Sequence, residues 1–174
     1  MTVQVIFDTT FLLLLFDANA KVANHPDTGK PVDLPKERID GLIKTFEKDR
    51  IKIGVPTPAL GELLVGAGKN LNMYMNTING SSCFRILPFE EKAAIECAIL
   101  GSKELQKGES DSNITKAKLK FDRQILSIAL AEGIKTLYSD DIHLAKLCSK
   151  YDINVIKIHE VPIPYDAKQG RLEV

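Results

Sequence analysis

Short runs of β-branched and aromatic residues alternate along this chain with stretches of helical periodicity. Residues 3–7, 51–55, 84–87, 135–139 and 154–158 are such runs, and each predicts a strand. Between them, residues 35–48 carry Ile39, Leu42, Ile43 and Phe46 at the spacing of one helix face. Residues 58–67 follow Thr57, the expected N-cap, with Pro58 at the first helical position. Residues 90–100 place Ala94, Ile95, Ala98 and Ile99 on one side. Residues 122–132 end at Gly133, a C-cap residue, and residues 142–150 form the last helix. Strands separated by helices predict βαβ units and an α/β fold on a mostly parallel five-stranded sheet. In such sheets the ligand site lies at the carboxyl ends of the strands.

Two stretches break the pattern. Residues 18–34 collect His25, Pro26, Asp27, Gly29, Pro31 and Asp33, and residues 107–115 are polar with Gly108, Ser110, Asp111, Ser112 and Asn113. The expected organisation is one domain over residues 1–161, followed by a loosely held tail over 162–174 with two prolines and a glycine. No internal repeat is present.

Composition narrows the classes. With 174 residues, 44% of them hydrophobic, the chain suits one well-cored domain and excludes disorder as its main state. Lys+Arg 23 balance Asp+Glu 23, so attraction to a polyanion has to come from local patches. Cys83, Cys97 and Cys148 form no CxxC pair and read as reduced thiols. His25, His143 and His159 lack zinc-ligand spacing. The apolar run 11–16 lies between Asp8 and Asp17 and is far short of the ~20 residues of a membrane helix, so a soluble, cytoplasmic protein is expected.

The acids carry the chemistry. Asp8 follows the first strand, and Asp140 and Asp141 follow the fourth, so all three are expected at carboxyl ends. If those strands are neighbours, their acids converge. Asp122 shares a helix face with Ile125, Leu126, Ala129 and Leu130. A carboxylate there is costly to desolvate unless a metal ion compensates or it caps the helix, and both readings stay open. Glu62 is the one charge in the apolar segment 58–67. It lies either on a solvated stripe or in a site. Gly61 and Gly66 weaken that helix by ~1 kcal/mol each relative to alanine, which suggests a close approach. Lys116, Lys118, Lys120 and Arg123 lead into Asp122, as an ordinary solvated surface or as a basic path for a phosphate backbone.

Together these segments resemble the PIN-domain nucleases, including the VapC-like toxins of toxin–antitoxin pairs. Val5-Ile6-Phe7-Asp8-Thr9-Thr10 looks like the family's opening strand with its first aspartate and a hydroxyl residue. Pro56-Thr57-Pro58-Ala59-Leu60-Gly61-Glu62-Leu63 looks like the glutamate segment. Residues 121–129 resemble the aspartate that opens an Ala-rich helix. Leu137-Tyr138-Ser139-Asp140-Asp141 resembles the Thr-x-Asp motif, with Ser139 as the hydroxyl and Asp141 as the acid. The resemblance implies a three-layer α/β/α fold and hydrolysis of RNA at an acidic site holding one or two Mg²⁺ or Mn²⁺ ions. Asp8 and Asp122 would hold the metal most directly. Glu62 and Asp141 would bind it through water or orient the nucleophile, and Thr9 and Ser139 would support them. A homodimer and an antitoxin partner are further implications. The chain departs from the family in its second acid, Asp140, which competes with Asp141 as a metal ligand, and in its long 17–34 connection. Two other readings stand beside this one. One is a PIN scaffold that binds RNA or a protein partner without catalysis. A receiver or haloacid-dehalogenase type phosphotransfer domain fits less well: Thr9-Thr10 follows Asp8 where the latter has Asp-x-Asp, and the acid pair follows the fourth strand rather than the first.

Overall fold

The computed structural model describes residues 2–17, 19–107 and 115–165. Its sheet has the order β3-β2-β1-β4-β5, and every neighbouring pair is parallel. The strands are β1 (Val3–Phe7), β2 (Lys52–Pro56), β3 (Phe84–Leu87), β4 (Thr136–Tyr138) and β5 (Asn154–Ile156). All five expected strands are present. Their apolar runs lack alternation because helices cover both faces of a parallel sheet. With the usual right-handed crossovers, the β1-to-β2 and β2-to-β3 connections cover one face and the β3-to-β4 and β4-to-β5 connections the other. The result is the three-layer α/β/α architecture that the resemblance implies.

The helices are α1 (Thr9–Phe16), α2 (Pro35–Lys48), α3 (Thr57–Ala67), α4 (Leu71–Gly80), α5 (Glu91–Lys107), α6 (Lys116–Glu132) and α7 (Ile142–Ser149). Helix α1 is built from the apolar run 11–16, whose pattern carries no helical period. Phe11, Leu12 and Leu14 are buried, and Leu13, Leu15 and Phe16 pack partly against the core, so most of its circumference is apolar. The Asp8 carboxylate caps it, which selects helix over strand. Phe7, Phe11, Phe46 and Tyr138 form an aromatic cluster below Asp8, with ring centroids 5.2–6.5 Å apart. No helix among the described residues is long and apolar enough to cross a membrane.

Three local expectations are corrected. Pro56, not Thr57, is the N-cap of α3, and the Thr57 hydroxyl accepts the Phe89 N–H at 3.1 Å. Helix α6 starts at Lys116 with Thr115 as its cap, six residues before Asp122, so Asp122 is not an N-cap. A Cβ at Gly61 or Gly66 would meet nothing within 4 Å, so neither glycine serves a close approach. Gly133 does end α6, at φ 69°.

The 17–34 connection is pinned rather than loose. Asn24 bridges to Pro31, and Val32 is buried. The buried Arg38 of α2 donates through Nε to the Asp33 carbonyl and through Nη2 to the Asp33 carboxylate, both at 2.9 Å. Its Nη1 reaches the Val161 carbonyl. One guanidinium therefore joins the connection to the turn after β5. Pro164 lies directly over Gly41 of α2. Residues 166–174, most of the expected tail, lie outside the described residues, as does most of the polar stretch 107–115. Cys83 and Cys148 are buried, Cys97 is half-buried, and all three are free.

Candidate active site

Strand β1 pairs with β4, Phe7 opposite Tyr138, so the residues following both strands meet at one edge. Asp8 is only 3% exposed. Its Oδ1 accepts from the Thr10 N–H at 2.9 Å, the Thr10 hydroxyl at 2.7 Å and the Phe11 N–H at 3.2 Å. Its Oδ2 accepts from the Ser139 hydroxyl at 2.5 Å. Burial pushes its pKa up to about 6, although the Ser139, Thr10 and Phe11 donors oppose the rise.

Ser139 is fully buried and joins two acids. Its hydroxyl donates to Asp8 and accepts the Asp141 N–H at 2.9 Å. Asp141 then caps α7, its Oδ1 accepting from the His143 N–H at 2.8 Å and the Leu144 N–H at 3.2 Å. Its Oδ2 pairs with the Lys118 ammonium at 2.6 Å. Burial alone would raise the Asp141 pKa, but Lys118 and the two N–H donors together hold it below the ordinary carboxylate value.

Asp122 projects from α6 one turn after Lys118 and is 7% exposed. Burial pushes its pKa up to about 7, helped by repulsion from Asp141, Asp8 and Glu62 and opposed by Lys118. Those charges place Asp8, Glu62, Asp122 and Asp141 in one field. Glu62 comes from α3, immediately after β2, and stands exposed at the rim. Its Oε2 accepts from the Thr9 hydroxyl at 2.5 Å.

Several expected roles change place. Asp140 does not join the cluster: its Oδ1 accepts the Ile158 N–H at 2.9 Å, and the charges acting on it are His159, Lys157 and Glu160. Asp140 thus faces the turn after β5, while Asp141 faces the cluster. Thr10, in addition to the expected Thr9 and Ser139, is a supporting hydroxyl and holds Asp8 Oδ1. It also accepts the Asp140 N–H at 2.9 Å, tying the β1 and β4 loops together. Position +2 after a capping aspartate was the available signal, since that residue closes the cap. The three basic residues whose side chains are described do not form one strip. Lys118 faces the acids, Lys120 is exposed, and Arg123 is half-buried with its guanidinium over Gly101 of α5. The Lys116 side chain lies outside the described residues.

The donor set consists of carboxylate and hydroxyl oxygens, which suit a hard divalent cation. Two buried carboxylates with raised pKa values are the electrostatic complement of such an ion. Among the described residues no group of three or more acidic, imidazole or thiol side chains is arranged to hold a metal.

No protein-family model matches the sequence, and no curated protein matches it. Solved structures do match the fold. VapBC from Salmonella typhimurium, bound to DNA, has a TM-score of 0.60 at 14% identity, over 90% of this chain and 99% of that one. VapBC2 from Rickettsia felis, bound to a promoter DNA fragment, has 0.58 at 18% identity, over 88% and 97%. VapC20 of Mycobacterium tuberculosis, a sarcin–ricin-loop-cleaving toxin, has 0.53 at 13% identity, over 82% and 94%. The chain thus has the PIN-like fold of VapC-type toxins. At these identities the likeness is one of fold.

Proposed function

We propose that this chain is a Mg²⁺- or Mn²⁺-dependent endoribonuclease of the toxin type. The observation that carries this reading is the convergence of Asp8, Glu62, Asp122 and Asp141 from four separate segments on the carboxyl edge of the sheet. A stable fold has no need to bury two carboxylates in one electrostatic field, because their repulsion and desolvation are costly. A function that requires them accounts for the cost.

Asp8 and Asp122 would hold the metal, with Asp141 completing the set and Glu62 at the open rim. When bound, the cation supplies a Lewis acid that lowers the pKa of a water and neutralises charge on the phosphate and leaving oxygen. The protein supplies position. Thr10 and Ser139 fix both oxygens of Asp8, so its carboxylate is oriented before any ligand arrives. Thr9 holds Glu62 where it can align a water or take its proton. Lys120, exposed on α6, and Lys116 would meet the phosphate backbone. RNA as substrate is supported by the family resemblance and by the fold neighbour that cleaves the sarcin–ricin loop. The VapBC neighbours support an antitoxin as partner. A homodimer follows from the resemblance, and a cytoplasmic location fits such a role.

The test is cleavage of single-stranded and hairpin RNAs by purified protein with Mn²⁺. Cleavage that EDTA abolishes and fresh Mn²⁺ restores supports the proposal. EDTA-resistant cleavage sinks the metal mechanism, and binding of RNA without cleavage favours the non-catalytic scaffold.

A further inference from the structure

Resting on the metal-dependent reading of this site, we propose that Lys118 is a tethered counter-ion that occupies the cluster when no metal is present and competes with the divalent cation for it. Lys118 and Asp122 are four residues apart on α6, so both side chains leave the same helix face. The Lys118 ammonium lies 2.6 Å from Asp141 Oδ2. That oxygen is the one left open, because Oδ1 is used by the cap of α7. A cation that binds Asp141 through Oδ2 therefore competes with the ammonium for that oxygen.

Three of the four clustered acids act on Lys118: Asp141 through its hydrogen bond and charge, and Asp122 and Glu62 through charge. One ammonium thus offsets part of the repulsion that a divalent ion would relieve. Its side chain is 42% exposed, so it has an open route to solvent on release. A buried lysine would be a fixed structural charge; this one can leave. The same motion delivers a positive charge to the mouth of the site, where a phosphate backbone would arrive.

The test is Mn²⁺ affinity of the full-length, metal-free protein, measured by calorimetry or by electron paramagnetic resonance of free Mn²⁺. Lys118→Met should bind about tenfold more tightly than wild type, because a competing charge beside the ion is gone. Lys118→Arg should stay near wild type. Lys44→Met, which removes an exposed charge on α2, should not change the affinity. Unchanged or weaker binding by a folded Lys118→Met overturns the proposal while leaving the metal-dependent reading in place. Absence of Mn²⁺ binding by wild type and Lys118→Met alike overturns both. A second measurement uses wild type alone: acylation of lysines followed by mass spectrometry, with and without Mg²⁺. Lys118 should react several-fold faster with Mg²⁺ and Lys44 at the same rate. A Lys118 rate unaffected by Mg²⁺ contradicts displacement.

Discussion

Replacing Asp122 by asparagine should make the metal-free protein more stable at neutral pH. The substitution keeps the side chain's shape and removes a charge that is 7% exposed and repelled by Asp141, Asp8 and Glu62. The Asp122 pKa stands at about 7 in the folded protein against an ordinary 3.8. At about 1.4 kcal/mol per pH unit, that difference sets a ceiling of roughly 4 kcal/mol on the cost of holding the ionised form. Part of the repulsion remains with its neighbours after the change, so a gain of about 2 kcal/mol is expected. For a domain of this size that is roughly 4–8 °C in Tm. A raised folded pKa means that the native state binds the proton more tightly than the unfolded state. Stability due to Asp122 is then full below about pH 4 and is lost as the pH rises through about 7. The advantage of Asp122→Asn should therefore be near zero at pH 4, grow through pH 5–6 and level off above pH 7. The assay is urea or thermal unfolding in EDTA at several pH values. A variant less stable than wild type at pH 8, or a difference independent of pH, would refute the reasoning. Mn²⁺ should reverse the order, because wild type gains metal binding that the variant has lost.

Ser139→Ala removes the donor to Asp8 Oδ2 and the acceptor of the Asp141 N–H, and should cost about 2 kcal/mol; urea unfolding at pH 7 reads it, and a loss under about 0.5 kcal/mol would contradict the bridging role. Asp140→Asn should retain RNA cleavage and Asp141→Asn should lose it, because only Asp141 shares the field of Asp122; equal kcat values for the two variants would reopen the choice between them. Gly66→Ala places a methyl in open space on a helix and should stabilise the protein by about 0.5–1 kcal/mol, read as a raised urea midpoint at unchanged slope.

Most of the sheet is legible in the sequence because each strand is a compact β-branched or aromatic run bounded by turn residues. Helix α2 is legible to its last residue because one of its faces is polar. Helix α1 is not, because burial over most of its surface erases the period that marks a helix. Helix α4 escaped notice for a related reason: Tyr74 and Ile78 are buried, but Leu71 and Met73 are exposed and blur its face. At the site, the carboxyl-end rule places Asp8, which follows β1 directly, and the Asp140–Asp141 pair, which lies just past β4. Asp122 was chosen for its apolar face, but the start of its helix was misread because Thr115 lies beyond a polar stretch. Asp140 and Asp141 are told apart only by packing: the Asp140 carboxylate accepts from Ile158 beyond β5, whereas the Asp141 oxygen that the α7 cap leaves open pairs with Lys118 of α6. The role of Lys118 was invisible for the same kind of reason. Its ion pair with Asp141 joins residues 118 and 141 through the packing of α6 on α7. In a linear sequence it reads only as one of several lysines.

The central claim is that carboxylates gathered on one sheet edge hold a metal that cleaves RNA. The direct measurement is Mn²⁺-dependent cleavage of a mixed RNA pool by wild type and by Asp8→Asn, with circular dichroism and the unfolding midpoint confirming that both are folded. The account predicts cleavage by wild type, none in EDTA, and a loss of at least about a hundredfold in rate for Asp8→Asn. Cleavage by a folded Asp8→Asn at the wild-type rate would contradict it.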